Sequence, residues 1–93
     1  MKRRLIRSPS FVRAAQRLLK KQPLAAAAFH LALALLAEDA FHPQLRTHKL
    51  KGKIKGSWAC AAGYDLRIVF DFLQHEGSEA VLLLTVGTHE EVY

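Results

Sequence analysis

The stretch of sequence that decides the fold runs from Trp58 to Val86 and reads WACAAGYDLRIVFDFLQHEGSEAVLLLTV. Within it, His75–Glu79 contains Gly77 and Ser78 and is typical of a hairpin loop. Runs rich in apolar and β-branched residues surround this loop and are typical of strands. The sequence therefore predicts three consecutive strands, at Trp58–Gly63, Asp65–Leu73 and Ala80–Val86.

The chain before this stretch has the pattern of a helical hairpin. Ser8 followed by Pro9 is typical of a helix start, because serine caps free backbone amides and proline at the first helical position loses no hydrogen bond. Apolar residues then recur at helical spacing and predict a helix over Pro9–Lys21. After an interruption at residues 22–23, strong helix formers predict a second helix over Leu24–Asp39.

Two further segments complete the predicted order of elements. Lys2–Arg7 has two apolar residues among basic ones and predicts a short first strand. Ala40–Lys55 is polar, basic and interrupted by proline and glycine, so we expect a loop without helical period and a short strand around Lys49–Lys51. This order predicts an α+β fold, in which an N-terminal strand and a two-helix hairpin pack on a mainly antiparallel sheet completed by three C-terminal strands.

Length and composition predict one domain over residues 1–93, with 51% hydrophobic and 24% charged residues. A single cysteine, Cys60, cannot form an internal disulfide, and the basic start of the chain contains no apolar signal-peptide region. The longest apolar stretch, Leu24–Ala37, contains His30 and is too short to span a bilayer. We therefore expect a cytoplasmic protein with no membrane span.

Charge is distributed unevenly along the chain, whose formal net charge is +6. Residues 1–55 carry thirteen Lys and Arg against two acids, whereas residues 56–93 carry one Arg against six acids. A basic surface of this size favours a polyanionic partner, because each phosphate that it neutralises releases condensed counterions. A solvated basic face that keeps the protein soluble is the alternative, and the clustering of the charges favours nucleic acid.

The C-terminal half contains HKLKG at 48–52, GYDLRIVF at 63–70 and VGTHEEVY at 86–93. These three motifs resemble the RelE/ParE superfamily of toxins and occur in that family's order. The resemblance covers Thr47–Tyr93, and the Gly-Thr-His ending is most similar to the YafQ-like branch. It implies the toxin of a type II toxin–antitoxin system. Such a toxin acts as a ribosome-dependent endoribonuclease, or mRNA interferase, and is held inactive by a cognate antitoxin.

Two histidines are the candidates for acid–base catalysis. Cleavage of RNA by its own 2′-hydroxyl needs a base, an acid for the leaving 5′-oxygen, and cations that offset charge on the phosphorane. Histidine suits the first two tasks because its ordinary pKa is near neutrality. The resemblance places His89 at the Gly-Thr-His end and His48 before the Leu-Lys-Gly turn. For each, an exposed histidine without a role is the alternative.

Asp65 and Arg67 complete the catalytic set that the resemblance implies. Strand alternation places them on one face, with Leu66 and Ile68 on the other. The pair is either a surface ion pair, which is worth little, or part of a site in which Arg67 binds the scissile phosphate through two parallel hydrogen bonds. The resemblance favours the second interpretation.

A lysine ladder and the C-terminal aromatic residue are the RNA-binding candidates. Four lysines recur at every second position, so in an extended segment they point to one side and contact phosphates; a flexible charged loop is the alternative. Tyr93 either stacks on an unpaired base or packs on the sheet. The lysines are Lys49, Lys51, Lys53 and Lys55.

Residues 59–62 read ACAA, where YafQ-like enzymes tend to carry further acidic and histidine residues. Cys60 does not replace them, because an isolated cysteine in an apolar run is usually a small buried side chain. The spacing of the histidines and the cysteine matches no zinc pattern, so we expect no metal and no cofactor.

Three functions remain open at this point. The chain is an RNA-cleaving toxin, a ParE-like inhibitor of DNA gyrase without catalysis, or an inactive member that only binds its antitoxin. A gyrase-directed toxin needs no histidine at the end of the C-terminal strand, so His89, together with Arg67 and the lysine ladder, favours the ribonuclease. The expected partners are the cognate antitoxin, the ribosome and messenger RNA.

Overall fold

The computed structural model describes residues 2–51 and 56–93. Its strands and α-helices, numbered in chain order, are β1 (Arg4–Arg7), α1 (Pro9–Lys21), α2 (Ala26–Glu38), β2 (His48–Lys49), β3 (Trp58–Ala62), β4 (Leu66–His75), β5 (Ser78–Thr88) and α3 (His89–Val92). Two short 3-10 turns occur at Pro23–Ala25 and Pro43–Leu45.

The N-terminal half confirms the helical hairpin. Helix α1 begins at Pro9 because the Ser8 side chain accepts a hydrogen bond from the Phe11 backbone amide at 3.1 Å. Helix α2 begins two residues later than the sequence predicts, since Pro23–Ala25 forms a 3-10 turn that leaves Leu24 98% exposed. No helix in the described part of the chain is both long and apolar enough to cross a membrane.

The strands form one sheet in the order β1-β5-β4-β3-β2. Strand β1 is parallel to β5 and the other neighbours are antiparallel, so the sheet is mixed and mainly antiparallel, as predicted. The hairpin between β4 and β5 is tighter than the predicted loop. Pairing continues to His75 and Ser78, and only Glu76 and Gly77, both with positive φ (52° and 80°), form the turn.

Both helices of the hairpin pack on one face of the sheet and form the main core with it. Phe70 is fully buried there, which stabilises the fold by roughly 1.5–3 kcal/mol. A smaller apolar cluster covers part of the opposite face. Leu84 joins this cluster because a bulge leaves it without a partner on β4, where Val69 pairs with Thr85 and Phe70 with Leu83. The main core includes Phe11, Leu18, Phe29, Leu33, Leu36, Ile68, Phe70, Val81 and Leu83.

Two local elements were absent from the sequence prediction. The Pro43–Leu45 turn occurs within the segment that we expected to lack helical structure, and the imidazole of His42 caps it by accepting the Gln44 amide at 3.1 Å. Helix α3 is closed by a capping box, in which Thr88 accepts the Glu91 amide at 3.3 Å and Glu91 accepts the Thr88 amide at 2.8 Å. It brings the C-terminal residues onto the sheet face opposite the other helices.

Candidate functional site

A groove lies on this open face, where β3 ends, β4 begins and β5 ends. Its floor is set by cross-strand pairing, which places Arg67 opposite Ala61 on one side and Gly87 on the other. These small residues leave room around the long arginine side chain. The absence of a side chain at Gly87 also lets α3 pack closely against the end of β5, because a Cβ at this position would lie 3.2 Å from the Cβ of Glu91.

Arg67 is held in the groove by backbone carbonyls. Its Nη1 donates to the Leu66 carbonyl at 2.8 Å and to the Tyr64 carbonyl at 3.3 Å. The ion pairs of the described residues do not include Asp65 with Arg67, so the surface ion pair is not formed. The guanidinium therefore keeps donors available to a ligand.

Asp65 contacts His89 rather than Arg67. It precedes β4, in the turn after β3, so its side chain does not follow the strand alternation that the sequence suggested. Its backbone carbonyl accepts the His89 amide at 2.7 Å, and its carboxylate lies 3.4 Å from the same nitrogen. Asp65 thus fastens the start of α3 to the edge of the groove and fixes the position from which the His89 imidazole projects.

His48 lies across the groove and is held at both ring nitrogens. Its Nδ1 lies 2.9 Å from the Arg46 carbonyl, which can only accept, so Nδ1 carries the proton. In the neutral ring Nε2 is then an acceptor, and it receives the Tyr93 hydroxyl at 2.5 Å. The ring of Tyr93 also stacks on His48, with centroids 5.5 Å apart.

Tyr93 stands between the two histidines. Its ring centroid lies 4.6 Å from that of His89, and 51% of the residue is exposed. Partial burial raises the pKa of Tyr93 above its ordinary value, although nearby Arg67 opposes this shift. The hydroxyl therefore stays protonated near neutral pH and remains a donor to His48.

The groove has two lobes that share Arg46, Ala61, Arg67 and His89. We define the inner lobe as the cavity of about 370 Å³ that these residues form with His48 and Tyr93. The outer lobe, of about 920 Å³, adds Gln44, Gly63, Tyr64, Asp65, Thr88 and Glu90.

Sequence reasoning missed several residues of the groove, among them Arg46 and Tyr64. Arg46 lines both lobes and adopts the left-handed conformation (φ 51°, ψ 41°) after the Pro43–Leu45 turn. Tyr64 lies in the outer lobe and is 97% exposed. No periodicity identifies Arg46, whereas an aromatic residue between Gly63 and Asp65, in the turn after a strand, was a signal that could have found Tyr64.

The structure brings His48, Asp65, Arg67, His89 and Tyr93 to the groove, and it brings neither Lys49 nor Lys51 there. Lys49 follows His48 in β2 and points to the other face, where its Nζ lies 5.8 Å from the Trp58 ring centroid. Lys51 is exposed beyond β2 and lines neither lobe. Lys53 and Lys55, which complete the predicted ladder, lie outside the described residues.

Cys60 is fully buried in the main core, as its apolar surroundings in the sequence predicted. Burial raises the pKa of the Cys60 thiol to about 12, although Arg67 opposes this shift. The thiol therefore does not supply a nucleophile to the groove. Within residues 2–51 and 56–93, no group of three or more His, Cys, Asp and Glu side chains could hold a metal ion.

No protein-family model matches the sequence, and no curated protein matches it significantly. Solved structures resemble it over nearly its whole length. YafQ from Escherichia coli is 16% identical with a TM-score of 0.74, and the match covers 99% of each chain. The same protein in the DinJ-YafQ toxin-antitoxin complex is 17% identical with a TM-score of 0.73, over 100% of this chain and 99% of that one.

Two further structures support the same fold. The YoeB/ParE toxin from Agrobacterium tumefaciens is 13% identical with a TM-score of 0.72, over 92% of this chain and 98% of that one. A conserved hypothetical protein from Helicobacter pylori is 26% identical with a TM-score of 0.69, over 100% of each chain. The chain therefore shares the fold of YafQ and of the YoeB/ParE toxin.

Proposed function

We propose that this chain is the toxin of a type II toxin–antitoxin system and cleaves messenger RNA on the ribosome by histidine acid–base catalysis. The observation that carries the proposal is the inner lobe, where two imidazoles and two guanidinium groups face one cavity of about 370 Å³. The fold shared with YafQ and the YoeB/ParE toxin supports a toxin role.

The hydrogen bonds of His48 suggest which histidine is the base. Because Nδ1 donates to the Arg46 carbonyl, the unprotonated Nε2 accepts the proton of the RNA 2′-hydroxyl once that hydroxyl displaces Tyr93. The 2′-oxygen then bonds to phosphorus, and the bond from phosphorus to the 5′-oxygen breaks. His89, in its protonated form, donates to the leaving 5′-oxygen, so that the products are a 2′,3′-cyclic phosphate and a free 5′-hydroxyl.

The two arginines stabilise the charge that develops during this reaction. Arg46 and Arg67 line the same lobe as the two histidines, and in the proposed mechanism their guanidinium groups bind the scissile phosphate. Asp65 acts on the chemistry through His89, whose backbone amide it holds. Tyr93 offers its exposed ring to a base beside the scissile phosphate.

The proposed partners are a cognate antitoxin, the ribosome and its messenger RNA, and the proposed compartment is the cytoplasm. The presence of YafQ in a toxin–antitoxin complex with DinJ supports the first partner. Helix α1 carries exposed Arg13, Arg17 and Lys21 and no acidic residue, which favours an acidic antitoxin segment that folds on binding. Co-expression with the product of the adjacent reading frame should give a stable complex and restore growth.

The decisive experiment is induction of the chain in bacteria, followed by mapping of messenger ends on translating ribosomes and a parallel gyrase supercoiling assay. We expect new 5′-hydroxyl ends within translated codons and normal supercoiling. Gyrase inhibition without messenger cleavage would instead support a ParE-like inhibitor. Antitoxin binding with neither activity would support an inactive member, for which Ala59 and Ala61, in place of acidic and histidine residues, are the relevant observation.

A further inference from the structure

We infer that the groove binds two consecutive unpaired nucleotides, with Tyr64 as the stacking platform for the base in the outer lobe, across Arg67 from Tyr93. The inference rests on the proposed function for the identity of the ligand as RNA. It adds a second base-binding site and assigns it to a residue outside the proposed acid–base machinery.

The two lobes repeat the same combination of chemical groups. Each contains one tyrosine with an exposed ring, since Tyr93 is 51% and Tyr64 97% exposed, and both share Arg46 and Arg67. Their volumes, about 370 and 920 Å³, lie in the roughly 300–1,000 Å³ range of small-molecule sites. Because the two lobes share these guanidinium groups, a phosphate bound to them can join a nucleotide in one lobe to a nucleotide in the other, and each lobe offers one aromatic ring.

Tyr64 is positioned for this role and contributes little to the packing of the fold. Its backbone carbonyl accepts a hydrogen bond from Nη1 of Arg67, so the residue that carries the ring is tied to the group that binds phosphate. At 97% exposure the side chain makes hardly any contact with the protein, which leaves its ring free for a base. Every base has a π-face, so stacking of this kind tolerates different sequences.

Charge decides which part of a nucleotide the outer lobe accepts. The lobe contains the carboxylates of Asp65 and Glu90, which repel phosphate, and the amide of Gln44. Carboxylates accept hydrogen bonds from exocyclic amino groups and from ribose hydroxyls. The outer lobe therefore suits a base and its ribose, while the phosphate stays with the arginines.

Binding of a dinucleotide that cannot be cleaved tests the inference. The probe is 2′-O-methyl ApA, titrated into isotopically labelled protein and followed by NMR chemical shifts, with 2′-O-methyl AMP as the single-nucleotide probe. Tyr64→Ala should weaken dinucleotide binding by about 5- to 150-fold, whereas Tyr64→Phe should retain it. A mononucleotide can place its base in either lobe, so its binding should weaken less than that of the dinucleotide in Tyr64→Ala and should be retained in Tyr64→Phe.

Two further variants serve as controls. Leu24→Ala removes another almost fully exposed side chain from outside the groove and should change neither affinity. Arg46→Asn keeps a residue that tolerates the left-handed conformation but removes the guanidinium, so it should weaken both probes and lower the salt dependence by about one log-log unit.

The results separate this inference from the proposed function. Equal dinucleotide affinity of Tyr64→Ala and the wild type would overturn the inference, and so would an equal loss for both probes or no dinucleotide binding by the wild type. None of these outcomes bears on cleavage by His48 and His89. Conversely, a larger loss for the dinucleotide than for the mononucleotide supports the second base site even if induction of the chain yields no messenger cleavage.

Discussion

Replacement of His89 by alanine tests the proposed chemistry and should have little effect on folding. The contact that positions this residue is a backbone one, because the His89 amide donates to the Asp65 carbonyl at 2.7 Å. The imidazole is exposed and lies beside the half-exposed Tyr93 ring. His89→Ala therefore keeps the start of α3, and we expect its free energy of unfolding to change by less than about 0.5 kcal/mol.

The effect on cleavage should be far larger. A positioned acid or base contributes about 10²- to 10⁴-fold to a rate, which corresponds to roughly 2.7–5.4 kcal/mol of transition-state stabilisation. The assay is single-turnover cleavage of messenger on programmed ribosomes with toxin in excess. His89→Gln should be as slow as His89→Ala, because glutamine forms hydrogen bonds but cannot titrate. His30→Ala, which removes an exposed histidine from α2, should cleave at the wild-type rate.

A double variant tests the pairing of His89 with His48. If both act on one phosphodiester, the double variant should lose less than the product of the two single losses. Near-normal cleavage by His89→Ala would refute the proposed chemistry.

Three further predictions concern the scaffold that holds the groove. Burial raises the pKa of the Cys60 thiol from 9.0 to about 12, so its thiolate fraction at pH 8 is about 10³-fold lower in the folded protein than in the unfolded chain. Iodoacetamide should therefore modify the folded protein about 10³-fold more slowly than the urea-unfolded chain. Similar rates would contradict the burial of Cys60. Gly63→Ala should lower the free energy of unfolding by about 1–2 kcal/mol, since φ is +74° and the new Cβ would lie 3.1 Å from one in α2. Gly77 has a similar φ of +80° but open space around a new Cβ, so Gly77→Ala should lower the free energy of unfolding by less than Gly63→Ala when both are measured by thermal denaturation. Equal losses in the two variants would show that the contact between residue 63 and α2 is unimportant. Hydrogen bonds from the backbone amide and side chain of Thr88 lower the pKa of Glu91 in the folded protein. The stability that this cap contributes is therefore fully present above the ordinary pKa of glutamate, and it is lost as the pH falls through the lower pKa of the folded state. Urea unfolding of Glu91→Gln should lack this acid-dependent component, and identical pH profiles would contradict it.

The sequence by itself determined the elements whose signals are local. Ser8 and Pro9 fix the start of α1 through contacts within one turn, and apolar spacing fixes the buried side of each helix. Alternation around Ile68 identified β4 and the side of it that enters the core, because strand geometry alone sets that alternation. The Thr88-x-x-Glu91 pattern of a capping box was also present in the sequence and would have revealed α3.

Only the tertiary structure decided how the groove is assembled. His48 and Tyr93 are 45 residues apart in the chain, and Asp65 and the start of α3 are 24 apart, so both contacts depend on which strands pair and in which register. The partner of Asp65 could not be read from alternation, because the residue lies in a turn and not in β4. The place of Arg46 depends on a left-handed residue after a 3-10 turn, a conformation that no local propensity of arginine favours and that the surrounding contacts impose.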